Sequence, residues 1–141
     1  PTSKWRRSLY ILQRRRYHES FLEAFGQPEL TTNCTKRTPT AVVSQSLTLM
    51  NDRFVFEQST NFAERVMRDA EANLAARIDS AFELALARRP TPEERRWAAD
   101  LVTRHADRYR AESLESDSVA ERALRHLCHM LLCTNEFLYV H

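Results

Sequence analysis

Thr38-Pro-Thr-Ala-Val-Val-Ser-Gln-Ser-Leu-Thr-Leu-Met-Asn-Asp-Arg-Phe-Val-Phe56 is the densest apolar patch in a chain of which 28% is charged. Val42, Val43, Leu47, Leu49, Met50, Phe54 and Phe56 are more than one amphipathic stripe hides. The stretch is therefore expected in the middle of the fold with neighbours on several sides. A helix is predicted from about Ala41, after Thr38-Pro39-Thr40, to Asn51-Asp52, and Asp52 is placed to cap the next one.

Downstream the helical period continues. Val55, Phe62, Val66, Met67 and Ala70 form one stripe from Arg53 to about Ala72, and Leu74, Ile78, Phe82 and Ala85 form another to about Arg88. Nothing between Glu71 and Asn73 forces a break, so the continuity of these two helices is open. Arg89-Pro90-Thr91-Pro92-Glu93-Glu94 is the clearest punctuation. Thr91 reads as an N-cap, Pro92 as the first helical residue, where its missing N–H is harmless, and Glu94 as the partner in a capping box. The helix from Pro92 to about Ala111 has Trp97, Leu101, Val102, His105 and Tyr109 as its expected buried face. After an acidic, serine-rich loop over Ser113–Ser118, Ser118-Val-Ala-Glu121 reads as a second capping box. It opens a last helix to about Cys133 with Leu124, Leu127, Cys128 and Leu131 inward. Asn135-Glu136-Phe137-Leu138-Tyr139 is too apolar for a free tail.

Upstream, Ser8–Gln13 suits a strand or a helix, and a strand there would have to find its partner outside this chain. His18–Phe25 reads as a short helix stopped by Gly26 and Pro28, and Gln27–Thr40 as a polar loop. The expected fold is all-α, an irregular bundle of five to six helices with Ser8–Gln13 as the one candidate strand. The chain has 141 residues, enough for one domain with a real core. Its single glycine, Gly26, removes the P-loop and the dinucleotide-binding fingerprint, which need several glycines for backbone approach to phosphate.

No apolar run approaches the roughly 20 residues that cross a bilayer. Three cysteines, Cys34, Cys128 and Cys133, do not make a disulfide framework, although one bridge with a spare thiol is compatible with them. Cys128-His129 has Arg125 where a haem-attachment motif requires its first cysteine, so no covalent haem is expected on this chain. The formal charge of +2 conceals an asymmetry: residues 1–37 hold eight Lys/Arg against three Glu, a balance of +5 that leaves −3 for the remainder.

Arg6-Arg7-Ser8-Leu9-Tyr10, Phe25, Cys34-Thr35-Lys36-Arg37, Gln45-Ser46-Leu47-Thr48-Leu49-Met50-Asn51-Asp52, Leu86-Ala87-Arg88-Arg89-Pro90-Thr91 and Asn135-Glu136-Phe137 follow one another in an order that resembles a known family. It is the planctomycete domain of unknown function 1553, found C-terminally in large secreted proteins that often carry a cytochrome-c-like module. The resemblance implies an extracytoplasmic setting, haem on another module if anywhere, and other domains of the parent protein as partners. It also implies that residues 1–141 form a helical C-terminal fragment of a larger domain. Three positions depart from the family pattern. Gly26-Gln27-Pro28-Glu29 replaces Asp-Ala-Pro-Asp, Ala87 stands where a glycine is usual, and Cys133 where an asparagine is usual. The family has no established activity, so the resemblance implies a context and no reaction.

His126, His129, Met130 and Cys133 fall at i, i+3, i+4 and i+7, a spacing that offers soft ligands on one helical face. The reading nonetheless is no metal on this chain, with His126 and His129 lying beside Arg122 and Arg125 on a solvated face. Lys4-Trp5-Arg6-Arg7 and Arg14-Arg15-Arg16-Tyr17-His18 mix cations with aromatics as single-strand binders do, but the field is modest and nucleic acid is not the reading. Cys34 beside Lys36 and Arg37 has the surroundings that favour a thiolate, and equally those of an ordinary loop residue. Gln45, Asn51 and Asp52 read as structural motif residues, with Gln45 a buried, satisfied amide and His105 a hydrogen-bonded core histidine.

The functional expectation is a non-catalytic structural or interaction module of a larger extracytoplasmic protein, with no catalytic residue assigned. The alternative is part of an enzyme site. There Arg6, Arg7, Lys36 and Arg37 would hold an anionic substrate, such as an acidic or sulfated glycan, while the chemistry came from elsewhere.

Overall fold

A computed structural model of the chain describes Phe25, residues 43–112 and residues 116–139. By their contacts the residues group into two units, Pro1–Thr48 and Leu49–His141. The described elements are α1 (Val43–Asn51), α2 (Arg53–Asp69), α3 (Leu74–Leu86), α4 (Pro92–Ala111), α5 (Ser116–Leu132) and the short α6 (Asn135–Leu138). Among the described residues the fold is an all-α irregular bundle without a strand. Ser8–Gln13, most of His18–Phe25 and the loop Gln27–Thr40 lie outside them; Phe25 sits in a turn.

The second unit is built on α5, which packs against α2, α3, α4 and α6. Val119, Ala123, Leu124, Leu127, Cys128 and Leu131 recur at three- and four-residue spacing and are all buried, so α5 has one continuous apolar stripe. Opposite it stand Ala63 and Val66 of α2, Ile78, Ala81 and Phe82 of α3, and Ala98, Val102 and Ala106 of α4. Alanine on one helix against leucine, isoleucine or phenylalanine on the next lets the axes approach while the space stays filled. Full burial of each such aliphatic side chain contributes about 1.5–3 kcal/mol relative to exposure.

The helix ends follow local chemistry. Asp52 Oδ1 accepts from the backbone N–H groups of Phe54 and Val55 at 2.7 and 3.3 Å and starts α2. The break between α2 and α3, left open by the sequence, is real: Ala70 ends one helix, and Asn73 Oδ1 caps the other by accepting from Ala76 N–H at 2.8 Å. Thr91 and Glu94 form the expected capping box on α4, with Pro92 at its first position.

Three expectations are corrected. The stretch around Asp52, expected in the middle of the fold with neighbours on several sides, is more open than that: Leu49 and Val55 are buried, but Met50 is 61% and Phe54 46% exposed. Two helices meet at Asp52, and each turns only one side of itself inward. Trp97 is 43% exposed and its neighbour Ala98 takes the core position, because α4 meets its partners through alanines, which leave no room for an indole. Helix α5 begins at Ser116, so Ser118 and Glu121 lie inside its first turns rather than framing its start. Ser116-Asp117-Ser118 offers three successive residues of types that favour a helix N-terminus, and spacing does not rank them. No described helix is long and apolar enough to cross a membrane.

Candidate functional site: the arginine clamp and the histidine pair

The turn after α3 carries a side chain that bonds to two other elements at once. Ala87 ends α3 in the left-handed conformation, with φ 54° and ψ 24°, and this sharp exit is followed at once by Arg88. The Arg88 guanidinium donates from Nη1 and Nη2 to the two carboxylate oxygens of Glu94, each at 2.8 Å. It also donates from Nε and Nη2 to the two oxygens of Glu136 on α6, at 2.6 and 2.8 Å. Its Cζ lies 5.8 Å from the Phe82 ring centre. One fork thus ties the α3–α4 turn, the cap of α4 and the C-terminal α6 together. The Arg88 bonds, joined by the Thr91 backbone N–H, hold the Glu94 carboxyl down to about 2, and the same bonds raise the pKa of Arg88.

A second cluster lies between α4 and α5. The His105 and His126 rings stack at 3.9 Å with an interplanar angle of 12°, and the Tyr109 hydroxyl is 2.7 Å from His126 Nε2. Burial, then His105, Arg125, His129 and Arg108, bring the His126 pKa down to about 4. Burial, Arg108 and Arg104 lower that of His105. Both imidazoles are therefore neutral at pH 7, and with its proton on Nδ1 His126 accepts from the Tyr109 hydroxyl. Leu101, Arg104, His105 and Arg108 line a depression of about 240 Å³ beside the pair. Arg104 is paired with Asp100 and Arg108 with Glu112.

The sequence candidates do not converge. His129 faces away from His126: its Nε2 is 3.3 Å from the Leu49 carbonyl oxygen, and its ring meets the edge of Phe56 at 5.8 Å. Arg125 lies over that same Phe56 ring at 4.5 Å. The expectation that His126 and His129 share a solvated face with Arg122 and Arg125 is thereby corrected: only Arg122 is exposed, and the other three are half-buried between helices. Cys133 sits in the turn after α5, and among the described residues no group of three or more His, Cys, Asp or Glu is placed to hold a metal ion. Cys128 and Cys133 are free thiols; burial pushes Cys128 up to about 12 and raises Cys133 as well. Gln45 is buried, Asn51 is exposed at the end of α1, and Asp52 serves as the cap. Arg6, Arg7, Lys36, Arg37 and Cys34 lie outside the described residues. Sequence reasoning missed both the clamp and the stacked pair, although Arg88, Glu94 and Glu136 each stood in a motif it had singled out.

A family model described as "Protein of unknown function (DUF1553)" matches residues 1–102. The chain belongs to this family. The DUF1553 match ends within α4, so α5 and α6, with Glu136 of the clamp, lie beyond it. No curated protein and no solved structure shows significant similarity to the chain.

Proposed function

We propose that this DUF1553 chain is a non-catalytic structural and interaction module of a larger extracytoplasmic protein, seated against other domains of its own polypeptide. The observation that carries the reading is the work done by the motif residues. Asp52 starts α2, Ala87 turns the chain, Arg88 grips the cap of α4, and Glu136 fastens α6 to the same guanidinium. Each is engaged in building the bundle rather than presented to a substrate. Met50 and Phe54, exposed on either side of the Asp52 junction, and Phe137 on α6 supply apolar surface suited to a covering domain. Haem in such a parent protein belongs on another module.

A photo-crosslinking residue placed at position 54 or 137 of the full parent polypeptide tests this. The expected products join either position to segments outside residues 1–141. Products confined to solvent, or turnover of a sulfated oligosaccharide by the purified chain, would overturn the reading.

A further inference from the structure

The face where α3 approaches α4 carries two adjoining depressions. The first, about 430 Å³, is lined by Leu74, Ala75, Ile78, Pro92, Arg95, Arg96 and Ala99. The second, about 270 Å³, brings Arg77, Val102, Thr103, Ala106 and Arg110 together with the start of α5 at Ala120, Ala123 and Leu124. Leu74 borders both, so the two lie side by side and together make a shallow groove whose lining runs along α4. From Arg96 to Arg110 that groove follows roughly 21 Å of helix at about 1.5 Å per residue.

Its floor is mostly alanine and aliphatic, and its margins are cationic. Arg95 is held by Asp79 through two bonds of 2.9 and 2.8 Å, and Arg110 by Asp107 at 2.6 Å. Arg77 and Arg96 have no carboxylate partner among the described residues, and Arg77 Nε is buried without a hydrogen bond. Of the four guanidiniums that line the two depressions, two are thus held by carboxylates. The N-terminus of α3, capped by Asn73, adds its partial positive charge beside Leu74, with Glu71 engaged by Asn73 Nδ2 at 3.0 Å. A floor of small side chains admits the close approach of another helix, and the two cations without a carboxylate partner, one in each depression, select carboxylates on its margins.

We propose that this groove is the docking site for an amphipathic acidic helix, a segment with leucine-, methionine- or phenylalanine-type anchors at helical spacing and Asp or Glu flanking them. The assignment rests on the reading of the chain as an interaction module and names the chemistry of one partner segment. Leu74 divides the groove so that two anchors, one in each depression, fix the register. Arg77, half-buried with its Nε unbonded, supplies a guanidinium for one carboxylate, and Arg96 an exposed one for another.

The test is selection from a displayed library of random 16-residue peptides against the purified chain, followed by fluorescence anisotropy of the enriched peptides. The expected result is enrichment of Asp/Glu around apolar residues at i, i+3 or i+4, and i+7, with binding that weakens as salt is raised. Arg96→Glu is expected to weaken the enriched peptides at least tenfold, and Arg65→Glu, on α2, less than twofold. Circular dichroism of each variant shows that it is folded. Enrichment of basic peptides, no enrichment, or binding indifferent to Arg96→Glu in a folded variant overturns the proposal. Those failures are separate from failure of the module reading, which is decided by the crosslinks from positions 54 and 137 in the parent polypeptide.

Discussion

Arg88 and Glu136, 48 positions apart, are joined by two hydrogen bonds of 2.6 and 2.8 Å, and the same guanidinium grips Glu94 with two more. Roughly a third of each side chain or somewhat more remains exposed, so solvent screens part of the gain. Arg88→Ala is expected to lower stability by about 1–3 kcal/mol, since it removes both charged pairs at once. Glu136→Gln should cost about 1 kcal/mol or less. Urea denaturation measures both, and a coupling between the two positions that persists unchanged in 1 M salt would contradict the ionic account.

Acid should act on the bundle in two windows. The His126 pKa is depressed to about 4 from an ordinary 6.5, so the neutral ring is the form that the fold stabilises. That contribution is fully present above pH 6.5 and is lost as the pH falls through 4. After allowance for solvent screening it amounts to on the order of 1–2 kcal/mol. Glu94 acts lower, its contribution present above 4.5 and lost on approach to 2. His126→Gln keeps a hydrogen-bonding partner for Tyr109 but does not titrate, so its melting temperature should vary less than the wild type's between pH 6.5 and 4.5. Parallel curves for the two proteins would remove His126 from the account.

Ala87 occupies the left-handed region at φ 54°, where a Cβ meets the carbonyl oxygen. That strain is about 1–2 kcal/mol for an L-residue, against about 0.5–1 kcal/mol of extra chain entropy for glycine in the unfolded state. Ala87→Gly is therefore expected to stabilise the protein by roughly 0.5–1 kcal/mol, and Ala87→Val to destabilise it by more than that. Thermal denaturation orders the three proteins, and a glycine variant less stable than the parent would contradict the argument.

Cys128 is fully buried, with its thiol pushed up to about 12, whereas Cys133 is half-buried in the turn after α5. Alkylation of the native protein, mapped by peptide mass spectrometry, should label Cys133 before Cys128. Cys128 should react at the rate of global or sub-global opening and become fast in denaturant. Rapid labelling of Cys128 in the native state would place it outside the core.

The inner stripe of α5, the caps at Asp52 and Thr91 and the proline at the start of α4 were all legible in the sequence. Each depends on residues three or four positions apart, whose relation is set by the helix itself. The same reasoning missed Trp97, because its outward position follows from the alanine-to-core contacts that α4 makes with other helices. It placed His126 and His129 on one face by spacing, yet one ring stacks on α4 while the other reaches the Leu49 carbonyl. At three residues apart, two side chains on a half-buried helix still diverge when different neighbours claim them.

By itself the sequence determined that the described residues from Val43 on are helical, where most of those helices start, and which side of α5 is apolar, because short-range sterics, capping hydrogen bonds and hydrophobic period act within one turn of backbone. Only the tertiary structure decided that α5 lies at the centre and that Arg88 meets Glu136. It alone brought His105 onto His126 and left Arg77 and Arg96 at the margins of an apolar groove. Those relations join residues far apart in the chain, and they exist only once helix packing has fixed the distances between them.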